Sequence, residues 1–144
     1  MNTNITATEA DRINQIRNTL RGFSGTEGYH RLGLSRAVVA TDGVAYLCKE
    51  CQCYWLFDVI ASHQLNRKVA QESFQVWRLE LTPNDEEGTQ AVVTCQDDEP
   101  GNRLVTQKIP MTDFPLKEGI KLWLEEGSID GVNTIKVLML PGER

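Results

Sequence analysis

Residues 41–66 read TDGVAYLCKECQCYWLFDVIASHQLN, and the spacing of their apolar side chains decides the fold. Val44, Leu47, Cys48, Cys51, Trp55, Val59 and Ser62 recur at steps of three and four, which places them on one helical stripe, and Leu56 and Ile60 widen it. A face this broad belongs to a helix laid against a core. Thr41 or Asp42 is the natural N-cap, because a short side-chain oxygen there satisfies an amide that the first turn leaves orphaned. The stretch predicts one central helix ending near Leu65-Asn66, with Arg67 and Lys68 at its negative pole. If that helix breaks in two, it breaks near Gln52-Cys53.

Downstream, the period changes from 3.6 to two. Trp77, Leu79 and Leu81 alternate with Arg78 and Glu80. Ala91, Val93 and Cys95 alternate next, followed by a third strand from Leu104 to Ile109, a fourth through Ile120, Leu122 and Leu124, and a fifth through Ile135, Val137 and Met139. Clean alternation marks antiparallel strands with one covered face. Leu138 and Leu140 make the fifth strand apolar on its other face too, which fits either a dimer edge or an interior position under a helix. Pro100-Gly101 carries the residues of a type II turn, and Asp130-Gly131 those of a hairpin. Phe114, between Pro110 and Pro115, is expected to plug the core. The acidic clusters Asp85-Glu86-Glu87 and Asp97-Asp98-Glu99 are placed in solvated hairpin loops.

Upstream, Ile13, Ile16 and Leu20 form a narrower stripe. They predict a helix from about Glu9 to Arg21, opened by Thr8 and stopped by Gly22. Residues 22–36 are glycine-rich but match neither the P-loop nor the dinucleotide fingerprint, so they are taken as a structural loop anchored by Phe23 and Tyr29. The chain is therefore predicted to be α+β: N-terminal helices, and one central helix packed on an antiparallel sheet of about five strands in a meander. Residues 1–144 make a single domain, with 1–8 frayed, since 144 residues suit one domain of roughly 100–200.

The net charge of −5 is unevenly spread: residues 1–72 carry +1 and residues 73–144 carry −6. A basic footprint is the electrostatic mark of nucleic-acid binding, and this distribution opposes it, apart from a local anion site at Arg12, Arg17, Arg21, Arg31 and Arg36. No apolar run reaches the ~20 residues of a membrane span, and residues 1–17 lack the pattern of a signal peptide. The expected location is the cytoplasm, with Cys48, Cys51, Cys53 and Cys95 reduced. Cys48-x-x-Cys51-x-Cys53 lacks a second, well-separated pair of ligands, so the thiols are assigned to the core and neither metal nor cofactor is expected.

Four segments carry a resemblance: Phe23-Ser24-Gly25-Thr26-Glu27 with Tyr29, Thr41-Asp42-Gly43-Val44 with Tyr46-Leu47, Tyr54-Trp55-Leu56-Phe57-Asp58 with Ile60-Ala61-Ser62-His63-Gln64, and Phe114-Pro115-Leu116. The ending Leu140-Pro141-Gly142-Glu143 is similar as well. With these, the chain resembles, from Leu20 to its C-terminus, a family of uncharacterised bacterial proteins often found with phage and plasmid genes. That resemblance implies a known domain type without an assigned activity.

The polar residues around the central helix are the candidates for chemistry. Asp58 stands among Tyr54, Trp55, Leu56 and Phe57, and a carboxyl buried there must be paired, hydrogen-bonded or protonated. His63 cannot serve Asp58 as a dyad, since five residues along a helix leave the two side chains about 140° apart. His30 reaches Asp58 only if the tertiary fold brings it there. The weak catalytic candidates are thus Asp58, His63 and His30, and the weak binding candidates are Tyr54, Trp55, Thr41 and Asp42. With no nucleophile elbow, zinc motif or paired carboxylates, the favoured reading is an accessory or protein-interaction domain that binds a protein partner or itself. The alternative is a small hydrolase or ligand-binding enzyme with a cleft at Asp58, His63 and His30.

Overall fold

The computed structural model describes residues 2–84, 88–128 and 130–144. Four α-helices and a six-stranded mixed sheet follow in the order α1 (Asn2–Arg21), β1 (Val38–Ala40), α2 (Asp42–Glu50), α3 (Tyr54–His63), α4 (Arg67–Ala70), β2 (Phe74–Asn84), β3 (Gly88–Gln96), β4 (Arg103–Ile109), β5 (Ile120–Gly127) and β6 (Ile135–Met139). A 3-10 turn, Pro141–Glu143, closes the chain. The α+β class and the five expected strands are present, and β1 is an addition.

The strand order is β1-β6-β5-β2-β3-β4. Only β2, β3 and β4 form a meander. The chain then returns across 110–119 to place β5 on the free side of β2, in the register Trp77 opposite Leu122. Gly119 makes that return possible: its φ is +74°, and a Cβ there would run into the Leu79 carbonyl. β6 pairs antiparallel with β5, and β1 pairs parallel with β6, Val39 opposite Val137. β6 is thus an interior strand, which accounts for its two apolar faces. Leu138 belongs to the main core, and Val137 and Met139 to a small second cluster with Val39 on the other face.

One face of the sheet carries Trp77, Leu79, Val93, Cys95, Leu122 and Leu124, all buried beneath the helices. Val44, Leu47, Leu56, Phe57 and Ile60 meet them from α2 and α3, each contributing roughly 1.5–3 kcal/mol by leaving water. The expected central helix is two helices, and the break falls near Gln52-Cys53, where the sequence allowed one. Gln52 adopts a left-handed φ of 53° between them, and the Cys53 amide donates to the Cys48 carbonyl at 3.0 Å. α3 stops at His63, and Asn66 starts α4 as its N-cap, accepting from the Lys68 amide at 3.0 Å. Arg67 and Lys68 therefore sit within α4 rather than at the end of α3.

The four cysteines are free and buried, and desolvation pushes the Cys51 thiol up to about 11 and Cys95 up to about 12. Ile16 is buried, with Ile13 and Leu20 packed beside it, so the α1 stripe meets the core as expected. α1 nevertheless begins at Asn2 rather than Glu9, with neither glycine nor proline in 2–10 to stop it. Phe114 plugs the core, and Phe23 packs on Tyr46 at a centroid separation of 5.7 Å. Tyr29 is 49% exposed and anchors nothing in the core. Gly101 has no positive φ, so the turn there is not type II. Asp130 does organise the β5–β6 hairpin, accepting from the Val132 and Asn133 amides at 2.9 and 2.8 Å. The acidic cluster 85–87 lies outside the described residues.

Candidate functional site

Helix α2 is built around its N-terminus. Thr41 is the N-cap, its Oγ1 accepting from the Val44 amide. The Gly43 amide and the Thr41 hydroxyl are met by a carboxylate from the other end of the chain. Glu143 accepts from Thr41 Oγ1 at 2.6 Å, from the Gly43 amide at 2.9 Å and from the Leu140 amide at 3.0 Å. It is only 7% exposed. Gly43 leaves the room: a Cβ there would lie 2.5 Å from Glu143 Oε1 and 2.6 Å from the Leu140 side chain. A carboxylate at a helix N-terminus also gains from the helix dipole.

Asp42 holds the glycine-rich loop against the same turn. Its carboxylate accepts from the Glu27 amide at 2.9 Å and meets His30 Nε2 at 2.7 Å. Its amide donates to Thr26 Oγ1 at 2.9 Å. The His30 bond, followed by the Glu27 amide, holds the Asp42 carboxyl below its usual range. Thr41, Asp42 and His30 are therefore brought together, with Thr26 and Glu143 as partners that sequence reasoning did not single out. The motifs around residues 23–27, 41–44 and 140–143 converge in one locked corner whose polar groups are spent on one another and on backbone. A cleft of about 170 Å³ opens beside it, between Tyr29 and Met139.

Asp58 is elsewhere and exposed. It lies over the glycine-rich loop, where a Cβ on Gly33 would collide with its Oδ1, and it makes no hydrogen bond or ion pair among the described residues. His30 is engaged with Asp42. His63, at the C-terminal end of α3, meets Gln107 Oε1 on β4 at 2.7 Å and packs its ring 5.7 Å from that of Trp77. The two histidines thus serve different neighbours, and two clefts of about 580 and 660 Å³ are lined by none of Asp58, His30 and His63.

Two large clefts are present. One, of about 580 Å³, runs between α1 and the start of β5 and includes Arg17, Arg21, Arg78 and Lys121. Its cations are mostly paired: Arg17 with Glu118 at 2.8 Å, and Arg78 and Lys121 with Glu99 at 3.1 Å. Elsewhere on α1, Arg12 donates to the Glu50 carbonyl at 2.7 Å and so caps the end of α2. Of the N-terminal arginines, Arg12 and Arg17 tie elements together, while Arg21 bonds Asn18 within α1 and Arg31 bonds the Arg36 carbonyl within the glycine-rich loop.

The other cleft, of about 660 Å³, is bounded by Trp55 on α3, Ile109 at the end of β4, Met111 and Asp113 beyond it, and Gly88 and Thr89 at the start of β3. Met111 is 70% exposed and Tyr54, beside Trp55, is 42% exposed. No hydrogen bond engages the Trp55 indole N–H, and no buried side-chain nitrogen or oxygen is unsatisfied among the described residues, so that N–H reaches solvent. Trp55 thus lines this cleft, while Tyr54, its neighbour in the chain, is exposed and does not line it.

No cluster of three or more histidine, cysteine or acidic side chains suited to a metal occurs among the described residues, and no helix among them is long and apolar enough to cross a membrane. No curated protein and no solved structure matches the chain significantly. A family model does, over residues 14–144, which include every segment that joins the locked corner and the Trp55 cleft: the chain belongs to DUF6876, a family of unknown function.

Proposed function

We propose that this domain is a non-catalytic accessory domain that binds another protein through the cleft beside Trp55, in the cytoplasm and in a phage- or plasmid-associated setting. The observation that carries the reading is one open cleft with apolar walls, where Met111 is 70% exposed and the half-buried Trp55 offers a free indole N–H. Tryptophan at such a position is the commonest kind of interface anchor. The side chains fit for acid–base work are meanwhile engaged elsewhere, His30 with Asp42, His63 with Gln107 and Glu143 with three donors. The charge of −6 over residues 73–144 favours a protein over a nucleic acid as partner. The resemblance to phage- and plasmid-associated proteins supports the setting.

The test is quantitative co-purification from the native host, comparing the wild-type chain with Trp55→Ala and Met111→Ser. The reading expects a stoichiometric protein partner that both variants lose. Enrichment that is indifferent to both substitutions, or no enrichment at all, counts against it.

A further inference from the structure

The sheet face turned away from the helices holds a corner of two aromatic rings, and a guanidinium already sits in it. Phe74 on β2 and Trp123 on β5 meet edge to face, their centroids 5.5 Å apart and their planes at 70°. Register puts Glu125 directly opposite Phe74, and strand alternation puts it on the same face as Trp123. The Arg144 Cζ lies 5.2 Å from the Phe74 centroid and 5.5 Å from that of Trp123, and its Nη2 meets Glu125 at 3.0 Å. Two ring faces and a carboxylate are what a guanidinium satisfies at once, by stacking and by pairing.

The corner is held by groups other than its occupant. Trp123 Nε1 donates to Glu99 at 3.0 Å, which fixes the indole, and Glu99 is otherwise spent on Arg78 and Lys121. Phe74 and Trp123 both belong to paired strands. Arg144 is held more loosely: its side chain is 55% exposed while in the corner, and its amide reaches the Pro141 carbonyl only at 3.5 Å. The firm anchor is one residue earlier, at Glu143 with its three donors. When the Arg144 side chain swings out, two ring faces and the Glu125 carboxylate stand uncovered while the Glu143 bonds stay in place.

We propose that this corner is a recognition site for an arginine side chain of a partner polypeptide, and that Arg144 is a plug held in cis which the incoming arginine displaces. An occupant that keeps half its surface in water is a side chain presented by a chain, not a small molecule enclosed in a pocket. The site lies across the sheet from the Trp55 cleft and stands or falls separately from it.

The experiment follows the Trp123 indole N–H of the 15N-labelled protein at matched ionic strength, in the wild type and in Arg144→Ala, titrated with an end-blocked glycine–arginine–glycine tripeptide. Arg144→Ala binds it saturably, with a dissociation constant on the order of 1–20 mM from two ring contacts and one exposed ion pair. The wild type binds about three- to tenfold more weakly, because the tethered Arg144 competes for the corner at a high effective concentration. In the Arg144→Ala background, Glu125→Gln and Trp123→Leu each weaken binding about two- to fivefold, the latter followed at the Phe74 amide. Thermal unfolding verifies that each variant is folded, and Glu125→Gln decides if Trp123→Leu is not. The same tripeptide with citrulline, the uncharged counterpart of arginine, leaves the indole unmoved. Equal affinity in the wild type and Arg144→Ala, no saturable shift in Arg144→Ala, or equal binding of the citrulline peptide overturns the proposal. Free arginine binding more tightly than the tripeptide makes the occupant a small molecule and overturns it as well.

Discussion

Thr41 Oγ1 donates to Glu143 at 2.6 Å across 102 residues of chain, and the same carboxylate accepts the Gly43 amide at 2.9 Å. The chain's last acid is therefore the keystone of its second helix. Glu143→Ala leaves one hydroxyl and two amides of this buried corner without an acceptor, and is expected to cost about 2–4 kcal/mol. Glu143→Gln keeps part of the bonding and costs less. Urea unfolding of both variants checks the ranking.

Gly43→Ala tests the same corner from the other side. The added methyl meets Glu143 and Leu140 at contact distances no packed core tolerates, so a loss of about 1–3 kcal/mol is expected from overpacking. Asp42→Asn in the same protein separates the loop tether from the cap.

Stability is expected to fall in acid. The folded carboxyls of Asp42, Glu118, Glu99 and Asp130 all lie below their ordinary values. The main causes are, in turn, His30, Arg17, the Trp123 indole N–H and the Asn133 amide. Because each folded value is depressed, the unfolded chain takes up protons first, so each contribution is complete above the ordinary values of 3.8 for Asp and 4.5 for Glu and is lost as pH falls through the folded ones. Urea midpoints measured between pH 2 and 7 should decline below about 4–5, and Asp42→Asn combined with Glu99→Gln should flatten that decline.

Burial raises the thiols of Cys51 and Cys95 and sends Cys53 upward as well, the last mainly through its hydrogen bond with Cys48. Thiolate is the reactive form, so Ellman's reagent at pH 8 should label the native protein slowly and release four equivalents only in denaturant. Rapid stoichiometric labelling of the folded protein contradicts this packing.

Trp77 and Met111 should divide sharply. Trp77→Ala removes a fully buried ring, with its indole bonded to Gln75 at 3.0 Å, and should cost about 3–5 kcal/mol. Met111→Ser at the cleft should change stability by no more than about 0.5 kcal/mol. Calorimetry on both variants tells a load on the fold from a surface kept for something else.

The alternating strands and the helical stripe were legible because their burial is periodic: Trp77, Leu79 and Leu122 point inward as their spacing requires. β1 was not legible, because three successive buried residues in a parallel pairing show no period. The return of β5 to β2 depends on a turn at Gly119 and leaves no trace in the hydrophobic pattern. Asp58 was misjudged by its apolar neighbours along the chain, for adjacent helix residues face different directions, and it is exposed while Phe57 is buried. Glu143 was missed because its burial depends on a glycine at the far end of the sequence. The two motifs that meet there, around 41–44 and 140–143, were visible separately and only the fold joins them. At the Trp55 cleft the aromatic residues were visible in sequence, while Met111, Ile109 and Asp113 reach them through the sheet.

The most direct measurement is amide and indole chemical-shift mapping of the 15N-labelled protein titrated with the protein partner recovered by co-purification. Shifts should concentrate on the Trp55 indole N–H, Thr89, Ile109 and residues 111–113, with Thr26, Thr41 and Gly43 unmoved. Shifts centred on the Thr41–Glu143 corner, or scattered over the surface without saturation, contradict the division between a corner that holds the fold and a cleft that binds.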